Sequence, residues 1–193
     1  VYVFDLDGTL VDSVDAHIAA WIEALKLFGV RKEIDEVKPY MGLPALEIAK
    51  RLHPAGAFEL AAFKNRLFLE KYISYVKLYE DAAVLKYIQR PVAVVTSSSG
   101  YVAREILRTV GLLPYVDLVI GGDEVPRGKP APDPLYKVAE YFSIAPRDMV
   151  VVGDTDYDMA MAKNAGAVGV CIQRGGGSCR EADRVITTLY ELL

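Results

Sequence analysis

The sequence predicts an α/β fold, a parallel sheet covered by helices on both faces, with a helical insertion after the first strand. Three observations predict it. The chain opens on Val1-Tyr2-Val3-Phe4, β-branched and aromatic with no polar position, as in a strand buried on both faces. From about Leu78 onward, short apolar strands alternate with helical patterns, which implies parallel strands joined by crossovers. Between these two regions the spacing of apolar residues is helical throughout.

In the insertion, Ile18, Trp21, Ile22, Leu25 and Phe28 recur at helical spacing and stop at Gly29, a residue that commonly ends helices. Helical patterns continue over 46–52 and 58–75, with no strand expected before Leu78. Val92-Ala93-Val94-Val95 then reads as a strand, followed by a helix over 102–110. Leu118-Val119-Ile120 and Val150-Val151-Val152 repeat the pattern, with helices over 134–142 and 157–165. A strand over 168–172 and a short strand and helix within 183–193 close the fold. Residues 1–12 and 80–193 therefore form the α/β core, and residues 13–79 a helical domain inserted into it.

Composition narrows the function. A length of 193 residues suits one large domain, or one domain with a smaller insertion, and 52% hydrophobic residues are ample for a core. The net charge of -4 leaves no basic footprint, so no nucleic-acid partner is expected. No apolar run is long enough to cross a bilayer, and no basic leader precedes the first strand. The expectation is a soluble, cytoplasmic protein without a membrane partner; its oligomeric state is unknown. Cys171 and Cys179 lack metal-site spacing and read as free thiols. Side-chain amides occur only at Asn65, Asn164, Gln89 and Gln173, a depletion seen in hyperthermophile proteins, which do carry intracellular disulfides. The Gly175–177 run lacks the Lys-Ser/Thr ending of a P-loop and reads as a loop.

Ligands of open parallel sheets bind beyond the carboxyl ends of the strands. Asp5, Asp7, Gly8 and Thr9 follow the first strand, and Thr96, Ser97, Ser98 and Ser99 follow the next. Gly128-Lys129-Pro130 comes after the third, and Gly153, Asp154, Thr155 and Asp158 after the fourth. Two carboxylates as close as Asp5 and Asp7 repel unless a proton or cation lies between them. Carboxylates, hydroxyls and one lysine suit Mg²⁺, a hard cation taking oxygen ligands, together with a phosphate group. Asp5, Asp154 and the carbonyl of Asp7 are the expected metal ligands. Gly8, Thr96, Ser97 and Lys129 are the expected phosphate contacts, with Lys129 supplying fixed positive charge. Asp5 can act as a covalent nucleophile, and Asp7 as the acid and base. An ordinary Asp is ionised near neutrality, so Asp7 would have to be held protonated by its surroundings. Each motif has a plainer reading too: Asp5-x-Asp7-Gly8 is good turn chemistry, Thr96-Ser97-Ser98 could cap a helix, and Lys129 could be solvated.

Asp5-Leu6-Asp7-Gly8-Thr9, Thr96-Ser97, Gly128-Lys129-Pro130 and Gly153-Asp154-Thr155 with Asp158 together resemble the haloacid dehalogenase-like hydrolase superfamily, in order and over essentially the whole chain. The resemblance implies a Rossmann-like core and an α-helical cap over residues 13–79. It implies Asp5 as nucleophile, Asp7 as acid/base, Asp154 as a magnesium ligand, and Asp158 as an outer-shell carboxylate or the partner of Lys129. True haloacid dehalogenases lack the second aspartate and need no metal, so Asp7 and Asp154 favour phosphoryl chemistry. Gly153–Asp158 and Ala165-Gly166-Ala167 are similar to phosphoglycolate phosphatase-like proteins. Asp12–His17 with Trp21 is similar to β-phosphoglucomutase-like proteins and their sugar-phosphatase relatives.

Tyr40-Met41-Gly42-Leu43-Pro44-Ala45 matches the cap's specificity loop, so Gly42, Leu43 and Pro44, with His17, are the cap residues expected near the substrate. The mutase's arginine for a distal phosphate corresponds to Ala45, with Lys50 and Arg51 one or two turns further on. Glu80-Asp81 departs from the Pro-Gly common where the chain re-enters the core. The expected activity is a magnesium-dependent phosphatase acting on a small phosphorylated metabolite. The alternatives are a phosphomutase using the same aspartyl-phosphate, or a protein of this fold that binds a phosphorylated ligand without turnover.

Overall fold

The computed structural model describes residues 1–174 and 179–193; the glycine run read above as a loop lies outside the described residues. The chain begins with β1 (Tyr2–Phe4) and a short β2 (Val11–Asp12), then enters four helices: α1 (Val14–Leu27), α2 (Ile34–Val37), α3 (Ala45–Leu52) and α4 (Ala57–Leu67). It returns through β3 (Lys77–Leu78). The order is then β4 (Val92–Val95), α5 (Gly100–Thr109), β5 (Leu118–Ile120), α6 (Asp133–Phe142), β6 (Val150–Gly153), α7 (Asp156–Ala165), β7 (Val168–Ile172) and β8 (Arg184–Ile186).

Six strands pair in the order β5-β4-β1-β6-β7-β8, all parallel. Tyr2 pairs with Val92 on one side and Val150 on the other, so β1 lies where the strand order reverses. A crevice at the carboxyl ends is expected at such a point. Alternate residues of each strand face opposite ways into two separate apolar clusters. Phe4, Val92, Val94 and Val152 pack with Ile106 and Leu107 of α5. Val3, Ala93, Val95 and Val151 pack with Leu135 of α6 and Met161 of α7. Burial on both faces is why these strands read as unbroken apolar runs rather than as alternation.

The helices of the insertion have a cluster of their own, built on Trp21, Leu25, Ile48 and Leu60. Ala16 and Ala20 of α1 face the other way, into the cluster that contains Phe4. The helical pattern expected over 58–75 is α4 followed by a single π turn (Phe68–Tyr72) and a 3₁₀ turn (Ile73–Tyr75). Phe68 on the π turn is fully buried and stacks on His17 at a centroid distance of 4.0 Å.

Two expectations change. A strand does precede Leu78: β2 and β3 pair antiparallel, Val11 with Leu78 and Asp12 with Lys77, where the chain leaves and re-enters the core. Strands of two residues are too short to show alternation. Cys171 and Cys179 are not free thiols but a disulfide, with Cα atoms 5.8 Å apart. Spacing alone could not show this, because it depends on how the two ends of an eight-residue span meet in the fold. Among the described residues no helix is long and apolar enough to cross a membrane.

Candidate active site

β1 delivers Asp5 into the crevice, its amide still bonded to the carbonyl of Val152 at 2.8 Å. The chain then turns sharply, with the Leu6 carbonyl accepting from Leu10 at 2.9 Å and Gly8 donating to Val11 at 2.8 Å. Gly8 has φ +91, and a Cβ there would lie 2.4 Å from Asp154 Oδ2. Its amide is therefore spent within the turn, and its place in the site is steric: glycine alone allows the turn to approach Asp154.

Asp154 directly follows β6, with Oδ1 accepting from the Thr9 hydroxyl at 2.8 Å. Asp158 lies in the first turn of α7, where Oδ2 accepts from the Thr155 amide at 3.2 Å in a capping box and also from the Thr155 hydroxyl at 2.6 Å. Lys129 is buried and donates to Asp5 Oδ1 and to Asp158 Oδ1, each at 2.6 Å. Carboxylate oxygens of Asp5, Asp154 and Asp158 all fall within 4.8 Å of one another.

The charges are unbalanced, with three carboxylates around one ammonium. Burial pushes the Asp5 carboxyl well above the ordinary range; Lys129 opposes the rise, while Asp158, Asp154 and Asp7 add to it. Asp154 is pushed up to about 6 by burial and by Asp158. Burial would lower Lys129, but Asp158 and Asp5 outweigh it and hold the ammonium charged. An all-oxygen cluster that resists its own ionisation fits a hard divalent cation. Asp158 already serves Lys129 and Thr155, so Asp5 and Asp154 are the better donors.

Asp7 faces a different set of groups. Its Oδ1 accepts from Ser13 Oγ at 2.6 Å and lies 3.0 Å from His17 Nε2; its Oδ2 accepts from Ser98 Oγ at 2.8 Å and Thr96 Oγ1 at 3.3 Å. Burial raises the Asp7 carboxyl, but His17 and the Ser13 and Ser98 hydroxyls outweigh it and hold it well below the ordinary range. The expectation that its surroundings keep Asp7 protonated is thereby overturned, because four side-chain groups converge on the anion. Lys64 of α4 is also buried and lies 2.8 Å from His17 Nδ1, with its pKa lowered to about 8 by desolvation.

The remaining predicted residues divide. Thr96 is buried beside Asp7 and accepts from the Ser98 amide at 3.1 Å. The N-cap of α5 is Ser99, which leaves Thr96, Ser97 and Ser98 free of that task. Ser97 donates to the Gly42 carbonyl at 2.6 Å, tying the core loop to the insertion. Gly42, Leu43 and His17 line one cavity of about 200 Å³ with Asp5, Asp7 and Lys129. Pro44 instead faces an adjoining groove, next to Gly128. Lys64, Ser13 and Ser98 were not singled out from sequence, although Ser98 adjoins Thr96-Ser97 and Ser13 lies within the Asp12–His17 run; Lys64 carried no signal.

Comparisons with known proteins agree with this geometry. Residues 2–172 match the model of the haloacid dehalogenase-like hydrolase family. A phosphoglycolate phosphatase of Neisseria meningitidis is 34% identical over 190 residues, covering 90% of this chain and 80% of the relative. A fructose-1-phosphate phosphatase of Escherichia coli is 30% identical over 171 residues, covering 85% and 91%. The solved structure of CbbY from Rhodobacter sphaeroides, in complex with phosphate, superposes with a TM-score of 0.86 at 21% identity, covering 99% and 95%.

Proposed function

The chain belongs to the haloacid dehalogenase-like hydrolase family and is a phosphoric monoester hydrolase, and on that premise we propose a magnesium-dependent phosphatase that works through an aspartyl-phosphate on Asp5. The observation that carries this reading is the meeting of Asp5, Lys129 and Asp154 at the strand-order reversal. A carboxylate oxygen of Asp5 attacks phosphorus, the ester P–O bond breaks, and the alkoxide takes a proton from Asp7. Water then attacks phosphorus while Asp7 accepts its proton, and the P–O bond to Asp5 breaks to release phosphate.

The hydrogen bonds on Asp7 hold it ready as the base for the second step. An incoming phosphate dianion raises its affinity for the proton needed in the first. Asp5, Asp154 and the Asp7 carbonyl would hold Mg²⁺, which when bound neutralises phosphoryl charge. Asp158 supports Lys129 from outside that set, and Thr96, Ser97 and Lys129 bind the phosphate. The inserted helices, residues 13–79, act as the cap that excludes bulk water.

The cavity of about 200 Å³ has room for a phosphoryl group and a small leaving group. Ala45 lines it where a mutase would place a guanidinium, and Lys50 and Arg51 pair with Glu47 beside the outer groove instead. Lys38 also lines the cavity and, among the described residues, has no ion-pair partner. A small phosphorylated hydroxy acid, whose carboxylate would meet Lys38, is therefore favoured over a neutral sugar phosphate. The test is turnover of a generic aryl phosphate and of a panel of small phosphorylated metabolites, with Mg²⁺ and with EDTA. No magnesium-dependent phosphate release from any of them would overturn the proposal.

A further inference from the structure

Arg174 lies two residues beyond β7, yet its side chain reaches both segments that connect the helical insertion to the core. Nη2 donates to the Thr9 carbonyl at 2.8 Å and to Asp81 Oδ1 at 2.7 Å, and Nη1 donates to Asp81 Oδ2 at 2.9 Å. The guanidinium lies over the Tyr79 ring, 4.1 Å from its centroid. Thr9 precedes β2, whereas Tyr79 and Asp81 follow β3, and the Tyr79 amide donates to Leu10 at 3.1 Å. One guanidinium thus grips both strands of the ribbon at their core end.

Its surroundings show that this contact is built rather than incidental. The Arg174 and Asp81 side chains are 16% and 11% exposed, so the bidentate pair is largely shielded from water. Asp81 is fixed from the opposite side by the Leu189 amide at 2.8 Å. On the other strand the chain of contacts continues inward: Thr9, whose carbonyl Arg174 holds, donates its hydroxyl to Asp154. The Cys171–Cys179 disulfide closes the stretch that carries Arg174.

We propose that Arg174 is a positioning residue, which acts through Asp81 and Thr9 to lock the insertion's two connecting segments to the core. For its effect on turnover the proposal rests on the phosphatase reading above; for its effect on the ribbon it does not. A residue that only stabilised the fold would change resistance to unfolding without loosening this place in particular. A hinge residue changes local opening, and changes kcat and KM together.

The test compares the full chain with Arg174→Lys, Asp81→Asn and the double variant. Amide hydrogen exchange is read over residues 8–12 and 77–81 and over β1, β4 and β6. Faster exchange by about tenfold or more in the ribbon of each single variant, with the sheet strands unchanged, is expected. The double variant should add little, since both changes break one pair. With a phosphatase substrate, kcat should fall about tenfold and KM should rise in both single variants.

Unchanged ribbon exchange in folded variants would overturn the proposal, as would acceleration spread evenly over the whole chain. Loosened ribbons with unaltered kcat and KM would overturn its link to turnover. If Arg174→Lys does not fold, Asp81→Asn carries the same measurement. Absence of phosphatase activity in the wild type would remove the proposed function while the exchange comparison still decides the lock.

Discussion

Lys64 Nζ lies 2.8 Å from Nδ1 of His17, and in its charged form Lys64 favours one tautomer of the ring. An ammonium can only donate, so Nδ1 accepts and Nε2 carries the hydrogen toward Asp7 Oδ1, 3.0 Å away. The buried Lys64 has no carboxylate partner of its own among the described residues and sits 5.3 Å from the Trp21 ring. Lys64→Met should therefore lower kcat by roughly 10- to 100-fold, because the tautomer is no longer fixed. The melting temperature should stay the same or rise, since a desolvated charge is removed. Kinetics and thermal unfolding on one preparation check both; unchanged kcat would show that Asp7 does not depend on this ring.

Asp5→Asn should keep the fold and lose turnover by many orders of magnitude, because the nucleophile and a metal donor vanish together. Phosphate release from purified protein, with circular dichroism as the folding control, is the measurement. Retention of the wild-type rate would sink the mechanism.

Asp154 gives a pH prediction with a definite sign. Its folded pKa of about 6 lies above its unfolded value of roughly 3.9, so between these limits the folded chain holds more protons than the unfolded one. Stability in EDTA should then fall as pH rises from about 4 to 6, by on the order of 1–3 kcal/mol, and stay lowered at pH 7.5. The raised Asp5 works in the same direction. Asp7, held low, loses its stabilising contribution only below the ordinary carboxylate range. Mg²⁺ at pH 7.5 should restore the loss, and Asp154→Asn should flatten the profile. Equal wild-type and Asp154→Asn melting curves from pH 5 to 7.5 in EDTA would contradict this account.

Activity should need Mg²⁺ and be inhibited by Ca²⁺, which takes more ligands at longer distances and would hold Asp5 out of line. Full activity in EDTA, after metal removal is verified, would count against it.

Phosphate should be released without formation of an isomer, because Ala45 offers no charge for a second phosphate. Lys38→Ala should raise KM for a phosphorylated hydroxy acid about tenfold and leave KM for an aryl phosphate nearly unchanged. Phosphorus NMR alongside a phosphate assay follows both outcomes. Conversion of β-glucose 1-phosphate to the 6-phosphate would establish the mutase instead.

The sheet and the acid cluster were legible in the sequence because each rests on a local signal. Continuous apolar runs marked the strands, and Asp5, Lys129 and Asp154 directly followed or closely trailed them. What was not legible depends on residues far apart in the chain. A lone lysine in a helix, such as Lys64, reads as solvated until Trp21 and Phe68 are seen to enclose it. The charge on Asp7 was not legible because Thr96 and Ser98 reach it from the loop after β4, and Ser13 and His17 from the start of α1. The partner of Asp81 lies 93 residues away, and no spacing rule connects them.

The β2–β3 ribbon brings both ends of the helical segment to one junction. Val11 and Leu78 are register partners, so the segment departs and returns through neighbouring positions. A hairpin-sized link would close the gap if everything between them were exchanged. The strand order and the placement of Asp5, Lys129 and Asp154 are set outside that junction. A segment grafted at this doorway would leave Asp5, Lys129 and Asp154 in place, but it would have to bring its own counterparts of Ser13, His17 and Lys64, which dress Asp7 from the inserted side.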